Sequence, residues 1–578
     1  MYNAGRSTKN YKQDSEDKRI SFLIAGIFVL IIIYTCQFFS KSILDHASCI
    51  AQAQDQYIVE EELPSTRGLI YASDKYSTNN YFPIALNEDT YQVSVVPKNV
   101  KDKDKLAQTL ADILKIDKKE IFDQINNDKP YIPPIAKKQS KETANAVLDA
   151  DLIGVIVKAE QSRIYPEDNL VSKITGFVDA GMTGRYGIEG YYNKELTGIG
   201  GEITAEKDIL GRLISVGNKT EAQNGADLYL TIDRNIQYTA VEYLKKAIDE
   251  MQAERGSITI VEPKTGRVIA MASIPDYDPN TYYKTAQEHD DYFTNTVVSN
   301  VWEPGSIMKP IVMSMAMDQG KIEPDTTDDF GGSVTIQGFT IKNAMNRTFG
   351  KETMTKVLEN SDNIAMTWVA DKMSDEEMYN YFTNYGFGNI TNIDLEGDTS
   401  GYLLPLDNWN KISHATMSFG QGISATPLQM VTAYAAIANG GKMMKPYVVD
   451  KIIKADGEQL VNEPSEVKQV IKPETAKKVT DMLVSVVDNG YDLQGKVNGY
   501  KIAGKTGTAQ IADDKGGYDE NNYIHSFAGY FPADDPKYAM LIVLEKPKKY
   551  NFASSTCAPY FSKLAQWLLN YSETKPTI

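Results

Sequence analysis

Cysteine and histidine are scarce in this chain, at three and four of 578 residues. Cys36 lies within an apolar run, and Cys49 and Cys557 are far apart, so no disulfide framework is visible. His46, His289, His414 and His525 are scattered, and no Cys/His cluster has zinc spacing; neither a metal centre nor a cofactor is expected. Four histidines leave a Ser/His/Asp triad possible by count, but nothing near the motifs below calls for one. Positive charge is also short. Lys and Arg number 60 against 77 Asp and Glu, a net charge of −17. A nucleic-acid surface needs clustered bases, so no nucleic-acid partner is expected. No internal repeat or low-complexity array appears. The balance of 42% hydrophobic and 24% charged residues is that of a globular protein. The length exceeds one ordinary core, so at least two folded domains are expected.

One stretch lacks charge altogether. Ile20 to Phe39 is uniformly apolar or uncharged, and at about 1.5 Å per residue a helix of this length spans roughly 30 Å, the thickness of a bilayer core. Arg6, Lys9, Lys12, Lys18 and Arg19 precede it, whereas Lys41 is the only base between it and Asp45. The positive-inside bias predicts a cytoplasmic tail over 1–19, an anchor over 20–39 and everything after about residue 40 outside the cytoplasm. A buried core helix is rarely so uniform. A cleaved signal peptide would use Ala51-Gln52-Ala53, but the apolar run exceeds the roughly 7–15 residues of a signal core and that site lies well past its end.

The outer part reads as α+β and multidomain. A strand-rich segment is expected over 55–225, with a strand at Thr90–Val96 and helices at Ala107–Leu114 and Lys118–Ile125. Polar, turn-rich residues from Ser215 to Gly225 lead into a strand at Leu228–Ile232, and a domain boundary is expected nearby. Beyond it, a domain over 250–571 is expected to contain strands at Ser257–Val261 and Val268–Ala272, joined by the turn Pro263–Gly266. Helices are predicted over Thr426–Asn439 and Glu474–Asp488, ended by Gly440-Gly441 and Gly490. A hairpin over Ser526–Phe531 and Lys537–Glu545 follows, then a helix Pro559–Tyr571 with Phe561, Leu564, Leu568 and Tyr571 on its apolar face.

Three short motifs carry chemistry. Ser306-Ile307-Met308-Lys309 follows Trp302-Glu303-Pro304-Gly305, a helix-start signal that predicts Ser306 in the first helical turn with Lys309 on the same face. A serine hydroxyl needs a neighbouring base, and a desolvated lysine can serve; the helix N-terminus favours negative charge on the attacked group. Ser361-Asp362-Asn363 reads alone as an N-cap cluster. Lys505-Thr506-Gly507-Thr508 reads alone as a strand, whose glycine lets a ligand lie against the backbone. Each is common by chance. In this order and at these separations they match the signature shared by penicillin-binding proteins and class A β-lactamases.

The chain therefore resembles the penicilloyl-serine transferases. Asn295 and the run into Ser306, Phe419-Gly420-Gln421-Gly422, Thr426-Pro427-Leu428-Gln429 and Ala509-Gln510 after the third motif are all similar to the transpeptidase pattern. Arg67-Gly68-Leu69-Ile70-Tyr71, Arg163-Ile164-Tyr165-Pro166, Gly184–Gly190 and Leu196-Thr197-Gly198 are similar to the pedestal (dimerisation-type) region of class B penicillin-binding proteins, although Ala72-Ser73-Asp74-Lys75 departs from the family's Asp-Arg-Asn-Gly. The resemblance implies a membrane-anchored peptidoglycan D,D-transpeptidase that cross-links stem peptides and binds β-lactams. It implies Ser306 as nucleophile, Lys309 as base, Ser361 and Lys505 as proton relay, and Asn363, Thr506, Gly507 and Thr508 as substrate-binding residues. The backbone N–H groups of Ser306 and Thr508 would form the oxyanion hole; Asp362 receives no role.

Glu303-Pro304-Gly305, without a second proline, and Asn363-Ile364-Ala365-Met366 look more like septal than elongation enzymes. A β-lactamase or β-lactam sensor is the first alternative, but no Glu-x-x-Leu-Asn deacylation motif lies between Asn363 and Lys505. A non-catalytic division scaffold is the second, and intact Ser306, Lys309, Asn363 and Lys505 argue against it. The segment ahead of the pedestal is too short for a glycosyltransferase and little chain follows the last helix. A separate membrane glycan polymerase and division-complex proteins are therefore the expected partners.

Overall fold

The computed structural model describes residues 10–44, 58–207, 213–491, 493–512 and 517–577. The candidate cleavage residues Ala51–Ala53 lie outside them, as does Cys49.

The chain divides into two compact units. The first takes in the described residues up to Ser65 together with Ile199–Gln223. It contains the helix Asn10–Phe39, continued by a π turn over Ser40–Leu44; the stretch Arg19–Ile43 is long and apolar enough to cross a membrane and exposes its apolar side chains. The helix begins ten residues before the expected anchor, because nothing in the polar lead-in breaks it. The same unit holds a three-stranded antiparallel sheet of Ile58–Leu63, Gly201–Lys207 and Leu213–Thr220. The last of these corrects the expectation of a turn-rich stretch from Ser215. Leu213, Ser215 and Val216 pair with Lys207, Glu206 and Ala205, and cross-strand pairing outweighs local turn preference.

The second unit, Thr66–Gly198 and Asn224 onward, contains both larger sheets. In the seven-stranded sheet, Asp227–Asp233 runs parallel to Ile70–Ser73 on one side and antiparallel to Val449–Ile453 on the other. Thr90 to Val95 proves to be the end of a longer strand, Tyr81–Val95. The helix expected from Ala107 starts at Lys103, because Asp102 accepts from Lys105 N and caps it earlier. Lys118–Ile125 forms as expected, capped by Asp117.

The five-stranded sheet runs Val268–Ile274, Arg255–Val261, Tyr538–Glu545, Tyr518–Phe531, Ala503–Ala512, all antiparallel. It is buried on both faces, which explains why Tyr538–Glu545 reads as a continuous apolar run. Met540, Ile542 and Leu544 join the cluster built with the helices Arg234–Met251 and Ala553–Tyr571. Leu541 and Val543 join the opposite cluster, with the helices Lys309–Asp318 and Pro427–Ala438. Thr426 and Gln429 form a capping box at the start of Pro427–Ala438. The helix Pro473–Asn489 ends at Gly490, where a Cβ would press on the Val486 and Glu359 carbonyl oxygens. The last helix does not begin at Pro559 but at Ala553, with the proline inside. Ala553, Thr556 and Cys557 are buried, and that packing holds the turns ahead of the ring.

Candidate active site

Gly305 adopts φ 59°, a left-handed conformation open to glycine, and from it the chain enters a 3₁₀ turn, Gly305–Met308. Ser306 therefore sits in this tight turn, not in the first α-helical turn, and Lys309 is the first residue of the α-helix Lys309–Asp318. The cause is local. Pro310 lacks an N–H, and Lys309 N closes the shorter bond to Ser306 O. In a 3₁₀ turn residues three apart eclipse, so Ser306 and Lys309 still share a face.

Two glycines press this turn into place. Gly305 N donates to Gly420 O at 3.1 Å, and a Cβ on Gly420 would overlap the Gly305 backbone. A Cβ on Gly507 would overlap Ser526 Oγ and lie 3.0 Å from Pro304 O. The side on which Gly507 lacks a Cβ thus faces the turn that carries Ser306. Further ties come from Gly422 N to Glu303 Oε1 at 2.8 Å, Tyr518 OH to Glu303 Oε2 at 2.8 Å, and Tyr434 OH to Ile307 O at 2.8 Å. Trp302 and Ala425 exchange backbone bonds of 3.1 and 3.0 Å. The stretches around Gly420 and Thr426 are thus the seat of the serine.

Lys309 is fully buried and its Nζ donates to Ser361 O at 2.6 Å and Ser361 Oγ at 3.1 Å. Burial holds its pKa well below the usual lysine range, the positive charge of Lys505 adds to this, and Asp362 opposes it. Ser361 reaches the lysine because it caps the helix Met354–Asn360 in the left-handed region, φ 55°, turning hydroxyl and carbonyl to one side. Asp362, buried, then caps Asn363–Ala370 by accepting from Ala365 N at 2.8 Å. The N-cap reading of this motif is met by Asp362. Asn363 donates through Nδ2 to Lys342 O at 3.0 Å and through its backbone N to Asn343 Oδ1 at 2.6 Å.

Lys505, Thr506 and Thr508 lie on the edge strand Ala503–Ala512, where Lys505 pairs with Ala528 and Thr508 with His525. Lys505 is buried, its Nζ 3.4 Å from both Thr506 O and Oγ1; Thr508 Oγ1 accepts from Ala553 N at 3.2 Å. A cavity of about 1020 Å³ brings Ser306, Ser361, Asn363, Lys505, Thr506 and Thr508 onto one lining. Lys309 and Gly507 are buried behind that wall. The sequence missed Lys342 and Asn343, since a lone Lys-Asn at the end of the short strand Phe339–Lys342 carries no signal of its own.

The family described as "Penicillin binding protein transpeptidase domain" matches residues 256–566, and "Penicillin-binding Protein dimerisation domain" matches residues 62–230. Penicillin-binding protein PbpB of Mycolicibacterium smegmatis is 32% identical over 94% of this chain and 89% of its own length. Peptidoglycan D,D-transpeptidase FtsI of Escherichia coli is 29% identical over 89% and 85%. The crystal structure of penicillin-binding protein 3 from Mycobacterium tuberculosis with aztreonam is similar at a TM-score of 0.70 and 25% identity, covering 90% of this chain and 98% of that one. By the extent of these matches and the motifs they enclose, the chain belongs to the class B penicillin-binding proteins.

Proposed function

We propose that this chain cross-links peptidoglycan by acyl transfer through Ser306, as a membrane-anchored D,D-transpeptidase. The observation that carries the reading is the buried Lys309, held neutral-prone and bonded to Ser361 beside the cavity that Ser306 lines. Lys309 takes the Ser306 proton as Oγ attacks the carbonyl of the penultimate D-Ala. The backbone N–H groups of Ser306 and Thr508 hold the oxyanion, Ser361 and Lys505 pass a proton to the departing D-Ala amine, and an amine of a second stem peptide then resolves the ester. Asn363 holds the donor amide, and Thr506 and Thr508, with Gly507 between them, hold its terminal carboxylate. β-Lactams enter as donor mimics.

The charge bias around the anchor supports a cytoplasmic N-terminus and an extracytoplasmic site. The lead-in Glu303-Pro304-Gly305 and the similarity to FtsI support septal wall synthesis, with a separate membrane glycan polymerase and division-complex proteins as partners. Residues 55–225 serve as pedestal and 250–571 as the catalytic domain.

Ser306→Ala is expected to fold and to form no covalent penicillin adduct by intact mass. A penicilloyl group mapped to another residue in the wild type would overturn the assignment. Depletion from cells is expected to give filaments, whereas round cells with normal septa would place the enzyme in elongation.

A further inference from the structure

The catalytic cavity is charged against the trend of the chain. In a protein of net charge −17, its described lining holds Lys342, Arg347 and Lys505 but one carboxylate, Glu303. That carboxylate is already engaged by Tyr518 OH and Gly422 N. Lys505 belongs to the third motif; Arg347 and Lys342 belong to none. Arg347 is half-buried, and its guanidinium carbon lies 4.5 Å from the centroid of the Tyr491 ring, which lines the same cavity. Among the described residues it makes no ion pair, and its one side-chain hydrogen bond is a weak one of 3.9 Å to Met345 Sδ.

A guanidinium set over a ring makes a cation–π contact through its face and leaves N–H donors of its fork for a carboxylate. The position is also fixed relative to the second motif. Asn343, buried, donates to Arg347 O at 3.2 Å while its Oδ1 accepts from Asn363 N at 2.6 Å. One side chain therefore ties the backbone at Arg347 to Asn363, the residue proposed to hold the donor amide.

We infer that Arg347, set over the Tyr491 ring in the cavity that Lys342 also lines, is a second anion subsite, taking a free carboxylate of the donor stem peptide upstream of the scissile bond. The inference rests on the acyl-transfer reading of Ser306. It makes Arg347 a specificity-determining residue: donors whose upstream carboxylate is amidated are poorer substrates, although the reacting bond is the same.

The test uses the full-length protein in detergent and pentapeptides ending in D-Ala-D-Ala, each with a free carboxylate or the matching carboxamide at one upstream position in turn. Acyl-enzyme formation on Ser306 is followed by intact mass, with penicillin labelling alongside. The wild type is expected to acylate about tenfold faster with the free carboxylate at one position, the effect of one lost charge-assisted contact, and to lose part of that preference in high salt. Arg347→Gln should abolish the preference while keeping the rate on the amide donor and on penicillin; Arg347→Lys should retain part of it.

Equal rates for every pair in the wild type would overturn the inference. So would a preference that survives in Arg347→Gln, an equal slowing of all donors by that variant, or an effect confined to transfer onto the acceptor amine. If neither the peptides nor penicillin acylate Ser306, the acyl-transfer reading itself fails and the subsite falls with it.

Discussion

Lys309→Arg is expected to lower penicillin acylation of Ser306 by at least about a thousandfold, within the range that a positioned general base contributes. The substitution keeps a positive charge and removes only the ability to exist as a free base, because arginine does not deprotonate in proteins. The bulkier guanidinium must enter a fully buried slot, so Lys309→Met serves as the companion. Methionine fills the slot with an apolar chain of similar length, should fold, and should be equally unreactive. Near-normal acylation by either variant would sink the assignment of Lys309 as base.

The same lysine sets a pH dependence. Its pKa is lowered in the folded protein by burial and by Lys505, so between that value and the ordinary lysine range the unfolded chain binds more protons than the folded one. Stability therefore rises with pH across that window. Acylation instead rises as pH climbs through the folded-state pKa, where Lys309 sheds its proton, and is level above it. A wild-type acylation rate that fell with rising pH would contradict the role.

The penicilloyl ester on Ser306 is expected to persist for tens of minutes or longer after free drug is removed. A hydrolase must aim an activated water at this ester, and no Glu-x-x-Leu-Asn motif lies between Asn363 and Lys505 to do so. A cross-linking enzyme is served by excluding water, since hydrolysis would forfeit a bond meant for an amine. With penicillin no acceptor amine is bound, so the adduct should outlast the time needed to form it. Intact mass followed with time, on full-length protein, decides the matter. Clearance within seconds with repeated turnover to penicilloic acid would identify a β-lactamase.

The reaction class was legible in the sequence to an unusual degree, because three short motifs had to occur in one order at wide separations and chance seldom supplies that. The elements with strong local signals were legible too: Lys118–Ile125 with its Asp117 cap and Pro427–Ala438 with its capping box. The strand at Leu213–Thr220 was hidden, since Gly217 and Asn218 read as turn residues until the partner Gly201–Lys207 is seen. The 3₁₀ seat of Ser306 was hidden for a subtler reason. Pro310 is acceptable in the first turn of any helix, and only the bond from Lys309 N to Ser306 O shows which kind of turn precedes it. Asn343 and Arg347 had no signal at all, because what makes them matter is a contact with Asn363 twenty residues on and a ring at Tyr491.

The seven-stranded sheet bears on how such genes can be recombined. Its strand Asp227–Asp233 begins in the stretch matched by the dimerisation family, yet one edge of it pairs with Val449–Ile453, deep in the stretch matched by the transpeptidase family. A crossover with a relative anywhere between these strands would join a Leu228–Ile452 and Tyr229–Lys451 ladder from two parents. An ill-matched pair leaves backbone donors and acceptors open along a sheet edge, which invites aggregation. Exchange of the catalytic region between relatives should therefore succeed only where both parents keep compatible residues at this seam, or where the seam travels with it.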